Sequence, residues 1–152
     1  MNSIIIINGP NLNLLGRREP EIYGKVSFEE YLNELELRFP NLPLIYHQSN
    51  HEGAIIDWLH EYGFSPHGII LNAGALTHTS IAIADAIKAI TTPVAEVHLS
   101  DLSKRESFRQ KNYLTDCCVF SVQGMGLEGY AIAVDYFLAF TQGKSRVDYT
   151  AD

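Results

Sequence analysis

The sequence predicts an α/β fold: a doubly wound sheet of five parallel strands in the order 2-1-3-4-5. Three observations carry that prediction. Short apolar runs recur at residues 3–8, 43–47, 68–73, 93–98 and 118–123, each about as long as a strand. The stretches between them have helical spacing, so β and α alternate without repeats, linkers or low-complexity tracts. The first run contains Ile4 to Ile7, β-branched throughout and lacking polar alternation, as in a strand buried on both faces of a parallel sheet. At 152 residues with 46% hydrophobic content, the chain fits one domain with a real core.

After the first strand, Gly9, Pro10, Gly16, Pro20 and Gly24 punctuate a long stretch in which neither helix nor strand is expected to persist. A loop of that length inside a compact domain is usually functional or disordered. This one carries Asn11, Arg17, Arg18 and Tyr23 and reads as an active-site lid over about residues 16–25. Ser27 and Glu30 then form a capping box for a first helix with Phe28, Tyr31, Leu32, Leu35 and Phe39 on its apolar face, stopped by Pro40. Ser49 and Glu52 repeat the box before Ile55, Ile56 and Leu59, with Gly63 as the stop. A third helix, rich in alanine and isoleucine, is expected over 78–91, a short turn over 103–109 and a last helix over 127–141. The catalytic domain is expected to span 1–143, and residues 144–152 read as a polar C-terminal tail.

In such a sheet the strand order reverses between strands 1 and 3, so a crevice opens at their carboxyl ends. The residues leaving strands 1, 3 and 4 are Asn8–Asn11, Asn72–His78 and Glu96–Ser100. These stretches hold most of the uncharged polar groups with catalytic potential.

Composition narrows the partners. A net charge of -7 argues against nucleic acid or an anionic membrane surface, although local basic pairs can still hold a small anion. The N-terminus has no basic n-region, and no apolar run approaches membrane length, so a cytoplasmic protein is expected. Cys117 and Cys118 are adjacent in an apolar run and read as buried core thiols. No metal-ligand spacing, P-loop or nucleophile elbow occurs. Gly124-Met-Gly-Leu-Glu-Gly129 matches a dinucleotide fingerprint, but no strand is expected after it, and close helix-to-sheet packing accounts for its glycines.

Each candidate site residue has an ordinary reading beside the chemical one. His98 ends strand 4 and can serve as a general acid near neutrality, with Glu96 on the same strand face to orient it, or it is a packed strand-end histidine. Asn72, Thr77 and His78 can donate to a polyhydroxylated ligand, whereas Thr77 or Thr79 can instead cap the following helix. Arg105 and Arg109 share a face if their segment is helical, forming either a solvated basic face or, with Ser100, a carboxylate pocket. Tyr23 with Arg17 and Arg18 is the sharpest group. A guanidinium cannot lose its proton and favours a nearby phenolate, which could abstract a carbon-bound proton. On spacing alone, a tyrosine that merely anchors a loop fits equally well.

Several stretches taken in order resolve these alternatives. Asn8-Gly-Pro-Asn-Leu-Asn-Leu-Leu-Gly-Arg-Arg-Glu-Pro-Glu-Ile-Tyr-Gly24, Gln48-Ser-Asn-His-Glu-Gly53, Asn72-Ala-Gly-Ala-Leu-Thr-His78, Glu96-Val-His-Leu-Ser100 and Gly124-Met-Gly-Leu-Glu-Gly-Tyr130 together resemble the type II 3-dehydroquinate dehydratases. The resemblance implies a flavodoxin-like fold, a dodecamer built from trimers, and no metal or cofactor. It also implies anti elimination of water from 3-dehydroquinate, through an enolate, to give 3-dehydroshikimate in the shikimate pathway. By that resemblance Tyr23 is the base, activated by Arg18. Asn11, with a bound water, stabilises the enolate, and His98 is the acid, supported by Glu96. Asn72, His78 and Arg109 hold ring oxygens, and Leu99 and Ser100 hold the carboxylate. Asp85 reaches a neighbouring subunit's site, and Arg17 and Arg105 support the lid. Lys111-Asn112-Tyr113 stands where relatives often have His-Ser-Tyr. The alternative is a non-catalytic flavodoxin-like small-molecule binding module. A flavin site would need a hydroxyl-rich phosphate loop, yet Asn8–Gly16 contains no Ser or Thr.

Overall fold

Strands β1 (Ile4–Asn8), β2 (Leu44–Gln48), β3 (Gly68–Asn72), β4 (Val94–His98), β5 (Phe120–Gln123) and β6 (Val147–Asp148) form one parallel sheet in the order β2-β1-β3-β4-β5-β6. The computed structural model describes residues 3–140 and 147–151. The expected order of five strands holds, and β6 extends it. That strand is two exposed residues, one apolar and one acidic, too short to leave a periodic trace in the sequence. Residues 144–146 and 152 of the expected tail lie outside the described residues.

The four isoleucines of β1 are fully buried. Because side chains alternate along a strand, Ile4 and Ile6 enter one core and Ile5 and Ile7 the other. The first core lies beneath α2 (Phe28–Arg38) and α5 (Glu128–Leu138), where Phe28, Leu35, Tyr130 and Phe137 join Ile4 and Ile6 in one cluster. The second lies beneath α3 (Glu52–Tyr62) and α4 (Ile81–Ala89), with Ile55, Leu59, Ile83 and Ile87. Each fully buried isoleucine is worth about 1.5–3 kcal/mol. The half-exposed Arg38–Glu128 ion pair between α2 and α5, at 2.7 Å, is screened by solvent and adds little. Apolar burial on both faces, then, holds the helices to the sheet.

Local signals are only partly obeyed. Ser27 caps α2 as expected, its hydroxyl accepting from Glu30 N at 3.2 Å. The second capping box does not form: the Ser49 hydroxyl accepts from His51 N at 2.9 Å, closing a turn before the helix, and His51 takes the cap position. Helix α4 is shorter than its 78–91 expectation because Ser80 caps it, accepting from Ile83 N at 2.9 Å, while residues 74–78 form a 3-10 turn. Neither Thr77 nor Thr79 is the cap. The loop after β1 holds a 3-10 turn at Leu12–Leu14 and a single helical turn, α1 (Pro20–Tyr23), where no regular structure was expected. The turn expected over 103–109 is two 3-10 turns, Leu102–Lys104 and Ser107–Gln110, with Arg105 extended between them (φ -99°, ψ 179°), so the condition for Arg105 and Arg109 to share a helical face is not met. Neither Cys117 nor Cys118 is in a disulfide among the described residues; Cys118 is buried and Cys117 half-buried. Among the described residues no helix is long and apolar enough to cross a membrane.

Candidate active site

Where β1 and β3 part from each other, a cleft of about 630 Å³, including its open mouth, lies at the carboxyl ends of β1, β3 and β4. Its wall brings together Asn11, Arg18, Tyr23, Asn72, His78, His98, Leu99, Ser100, Arg105 and Arg109. Glu96 lies behind His98 rather than in the wall. Arg17 is exposed on the lid and Asp85 is exposed on α4, and neither enters the cleft of its own chain.

The floor is built where β1 and β3 end. A Cβ on Gly9 would stand 2.5 Å from the Ala73 carbonyl oxygen, so only glycine lets the two strand exits touch. Gly9 N donates to Asn72 O at 2.7 Å. Behind them the fully buried Tyr130 hydroxyl donates to Asn8 Oδ1 at 2.7 Å and accepts from Asn72 Nδ2 at 2.9 Å, a strut that holds both asparagines. Burial pushes the Tyr130 phenol far up, so it remains a neutral donor. Asn11 follows in the left-handed region (φ 69°), a conformation asparagine tolerates. Its backbone N–H donates to Asn50 Oδ1 at 3.0 Å, and Gln48 Nε2 donates to both Gly9 O and Asn50 Oδ1 at 3.2 Å.

Tyr23 ends α1 and carries the lid into the cleft. Two guanidinium groups meet it differently. That of Arg18 lies 5.3 Å from the ring centroid. That of Arg105, 5.5 Å from the centroid, also donates through Nη1 to the Tyr23 hydroxyl at 3.1 Å and to Ser100 Oγ at 2.9 Å. The direct hydrogen bond to the phenol thus comes from Arg105, 82 residues away in sequence. A cationic donor facing a phenol is the arrangement that stabilises a phenolate.

Across the sheet end, Glu96 and His98 share one face of β4, two residues apart. Both are buried, with His98 Nε2 2.8 Å from Glu96 Oε2. Burial alone would raise the Glu96 carboxyl. Hydrogen bonding and charge from His98, with hydrogen bonds from Thr115 and Ser121, outweigh it and hold the group down at about 2. Glu96 is therefore an anion at neutral pH. It accepts from His98 Nε2–H, which leaves Nδ1 as the second ring nitrogen for chemistry. His78 is different: its Nδ1–H donates to Lys111 O at 2.6 Å. Burial, helped by the charges of His98 and Arg109, pushes His78 down despite that bond, so it is neutral and offers Nε2 as an acceptor. Arg109 is largely buried and anchored to Glu106 at 2.8 Å.

The glycine-rich Gly124–Gly129 segment serves the site indirectly. Gly124 and Gly126 both have positive φ, and their N–H groups donate to His98 O, Ser100 O and Leu99 O, fixing the loop that leaves β4. Gly129 packs on Val97, where a Cβ would stand 3.2 Å from Val97 Cγ1. Close packing explains that third glycine, and backbone turning explains the first two.

Sequence reasoning did not single out Gln48, Asn50, Asn112, Ser121 or Tyr130 as site residues. Gln48, Asn50 and Tyr130 lie within the matching stretches, which was their only trace. Asn112 and Ser121 reach the site through tertiary contact alone. Among the described residues, no three His, Cys, Asp or Glu side chains gather as a metal site requires. The cleft thus places a phenol flanked by two cations and a carboxylate-backed imidazole around one ligand-sized space. Amide and hydroxyl groups at the strand ends supply donors for an oxyanion or carboxylate. Such a set can remove a proton from carbon at one position and protonate a leaving oxygen at another.

Comparison with known proteins shows the family. The family model described as "Dehydroquinase class II" matches residues 2–138. A 3-dehydroquinate dehydratase of an Exiguobacterium species is 54% identical over 132 residues, covering 86% of this chain and 90% of that protein. One from Chlorobaculum tepidum is 48% identical, covering 87% and 90%. The crystal structure of a type II dehydroquinase from Butyrivibrio crossotus superposes with a TM-score of 0.85 at 41% identity, covering 90% of this chain and 97% of that one.

Proposed function

The chain belongs to the class II dehydroquinase family, and on that premise we propose how its residues divide the family's reaction. The protein is a carbon–oxygen lyase that dehydrates 3-dehydroquinate to 3-dehydroshikimate in the shikimate pathway.

In our reading, substrate enters the cleft with its carboxylate against Leu99 and Ser100 and its ring oxygens near Asn72, His78 and Arg109. The Tyr23 phenolate removes a proton from the carbon alpha to the ketone. Arg18 lies against its ring and Arg105 hydrogen-bonds its oxygen. The electron pair moves onto the ketone oxygen, and the Asn11 amide stabilises the resulting enolate. The enolate then re-forms the ketone and expels the hydroxyl from the neighbouring carbon in an anti elimination. His98 gives that hydroxyl a proton, so water leaves, with the Glu96 anion hydrogen-bonded to Nε2 on the far side of the ring. Tyr23 gains one proton and His98 loses one, and exchange with solvent resets both.

One observation carries this assignment: Tyr23, hydrogen-bonded by Arg105, and His98, backed by Glu96, line the same cleft. We further propose a cytoplasmic enzyme and a dodecamer of trimers. In that assembly Asp85 approaches the cleft of a neighbouring subunit, and Arg17 supports the closed lid.

Ultraviolet absorbance on adding 3-dehydroquinate tests the assignment. Rising absorbance from the conjugated enone, lost in Tyr23→Phe while substrate still binds, supports it. Wild-type turnover in Tyr23→Phe would remove Tyr23 as the base. A flat trace from folded wild-type protein would favour a binding module instead.

A further inference from the structure

The Glu96 carboxylate is saturated by donors that the reaction does not otherwise use. Ser121 lies beside it because β4 and β5 pair in register, Glu96 against Ser121, and Ser121 Oγ donates to Oε1 at 2.7 Å. Asn112 Nδ2, from the loop between β4 and β5, donates to Oε2 at 3.1 Å, the same oxygen that His98 meets. Asn112 Oδ1 in turn accepts from Leu114 N at 2.8 Å and Thr115 N at 3.0 Å, which fixes its amide orientation.

These bonds matter because of the open space beside them. A second cavity, about 520 Å³ including its mouth, borders the pair; Glu96, Asn112, Thr115 and Ser121 line it, and it shares His98, Leu102 and Arg109 with the substrate cleft. A glutamate's terminal torsion is broad and roughly two-fold. An unfastened carboxylate would turn toward that cavity and leave His98 without its anion. The charged or titratable groups around the pair are His98 on the same strand, His78 before α4, and Arg109 and Cys117 in the loop after β4. Beside Asn112 and Ser121, the Thr115 side chain also hydrogen-bonds the carboxylate.

We propose that Asn112 and Ser121 are positioning residues of the dehydration, holding the Glu96 carboxylate turned to His98 while the hydroxyl leaves. The proposal rests on the reading of His98 as the acid. It assigns work to Asn112 at the position where this chain departs from the His-Ser-Tyr pattern, and to a strand serine that no motif marks.

The test uses the full-length enzyme with Ser121→Val and Ser121→Thr, which share a shape and differ in the hydroxyl, and with Asn112→Ala. Losing one donor to a buried charged group lowers kcat by about tenfold with KM within about twofold. In Ser121→Val the Glu96 carboxyl, followed by carbon NMR, titrates at higher pH than in wild type. Ser121→Thr restores both kcat and the titration, and Asn112→Ala combined with Ser121→Val loses more than either alone. Wild-type kcat and titration in Ser121→Val would overturn the proposal, as would a loss that Ser121→Thr does not repair. Asn112→Ala also frees the 114–115 turn, so if it fails to fold the valine–threonine pair decides. The NMR titration needs no turnover, and wild-type activity reports separately on the underlying assignment.

Discussion

Arg105 shows how a single side chain can join parts of a site that the sequence keeps apart. Its guanidinium touches the Tyr23 hydroxyl on the lid and the Ser100 hydroxyl at the end of β4 at once. Motif matching placed it only as support for the lid, because the contact spans 82 residues and leaves no local pattern. His98, in contrast, was legible, since a histidine two residues after a glutamate on a buried strand must share its face. If His98 is the acid, His98→Ala lowers kcat by about 10²–10⁴-fold and abolishes the alkaline limb of the rate profile; an unchanged profile would exclude it. Glu96 makes a second prediction about acid. Its carboxyl is held at about 2 in the folded protein, against an ordinary 4.5, so it contributes stability that is full above pH 4.5 and lost as pH falls toward 2. Thermal melting followed from pH 6 to pH 2 should show a steeper acid loss in wild type than in Glu96→Gln, which has no such proton to take up.

At the level of elements, the strands were read within one or two residues and the helices less well. Strands such as β1 and β3 are fully buried apolar runs whose composition alone marks them. Helix boundaries depend on which hydroxyl reaches which N–H, and that is settled by tertiary packing. Ser27 and Ser49 sit in the same local pattern, yet only Ser27 bonds three residues ahead. Removing the Ser27 cap costs about 1 kcal/mol. Ser27→Ala should therefore melt about 2–4 °C lower with kcat unchanged, measured by calorimetry and the enone assay together. A change in kcat would mean that α2 is coupled to the lid that precedes it. Of the three 3-10 turns after β4, the sequence marked only a short turn over 103–109, because turns that short carry no periodicity and are held by side chains such as Asp101 and Gln110.

For the whole molecule, the order 2-1-3-4-5 followed from five β–α alternations and the preference for short, right-handed crossovers, and the cleft then fell where strand order reverses. What sequence periodicity could not reach was the sixth strand and the company each cleft residue keeps. Assembly is the remaining test at this scale: twelve copies of the 17.0 kDa chain would elute at about 200 kDa by size exclusion with light scattering, and a monomer would leave Asp85 with no neighbouring cleft to reach. The isoleucine run of β1 has a consequence of its own. Sliding that strand by one residue would exchange its two faces, yet isoleucine would still fill most positions in both cores, so greasiness alone barely distinguishes the right alignment from a wrong one. The alignment is set at the end of the run, where Asn8 must meet the Tyr130 hydroxyl and Gly9 must pass the Ala73 carbonyl. The residues that shape the floor of the cleft therefore also act as the ruler against which the central strand is threaded, and a change there would disturb folding and chemistry together.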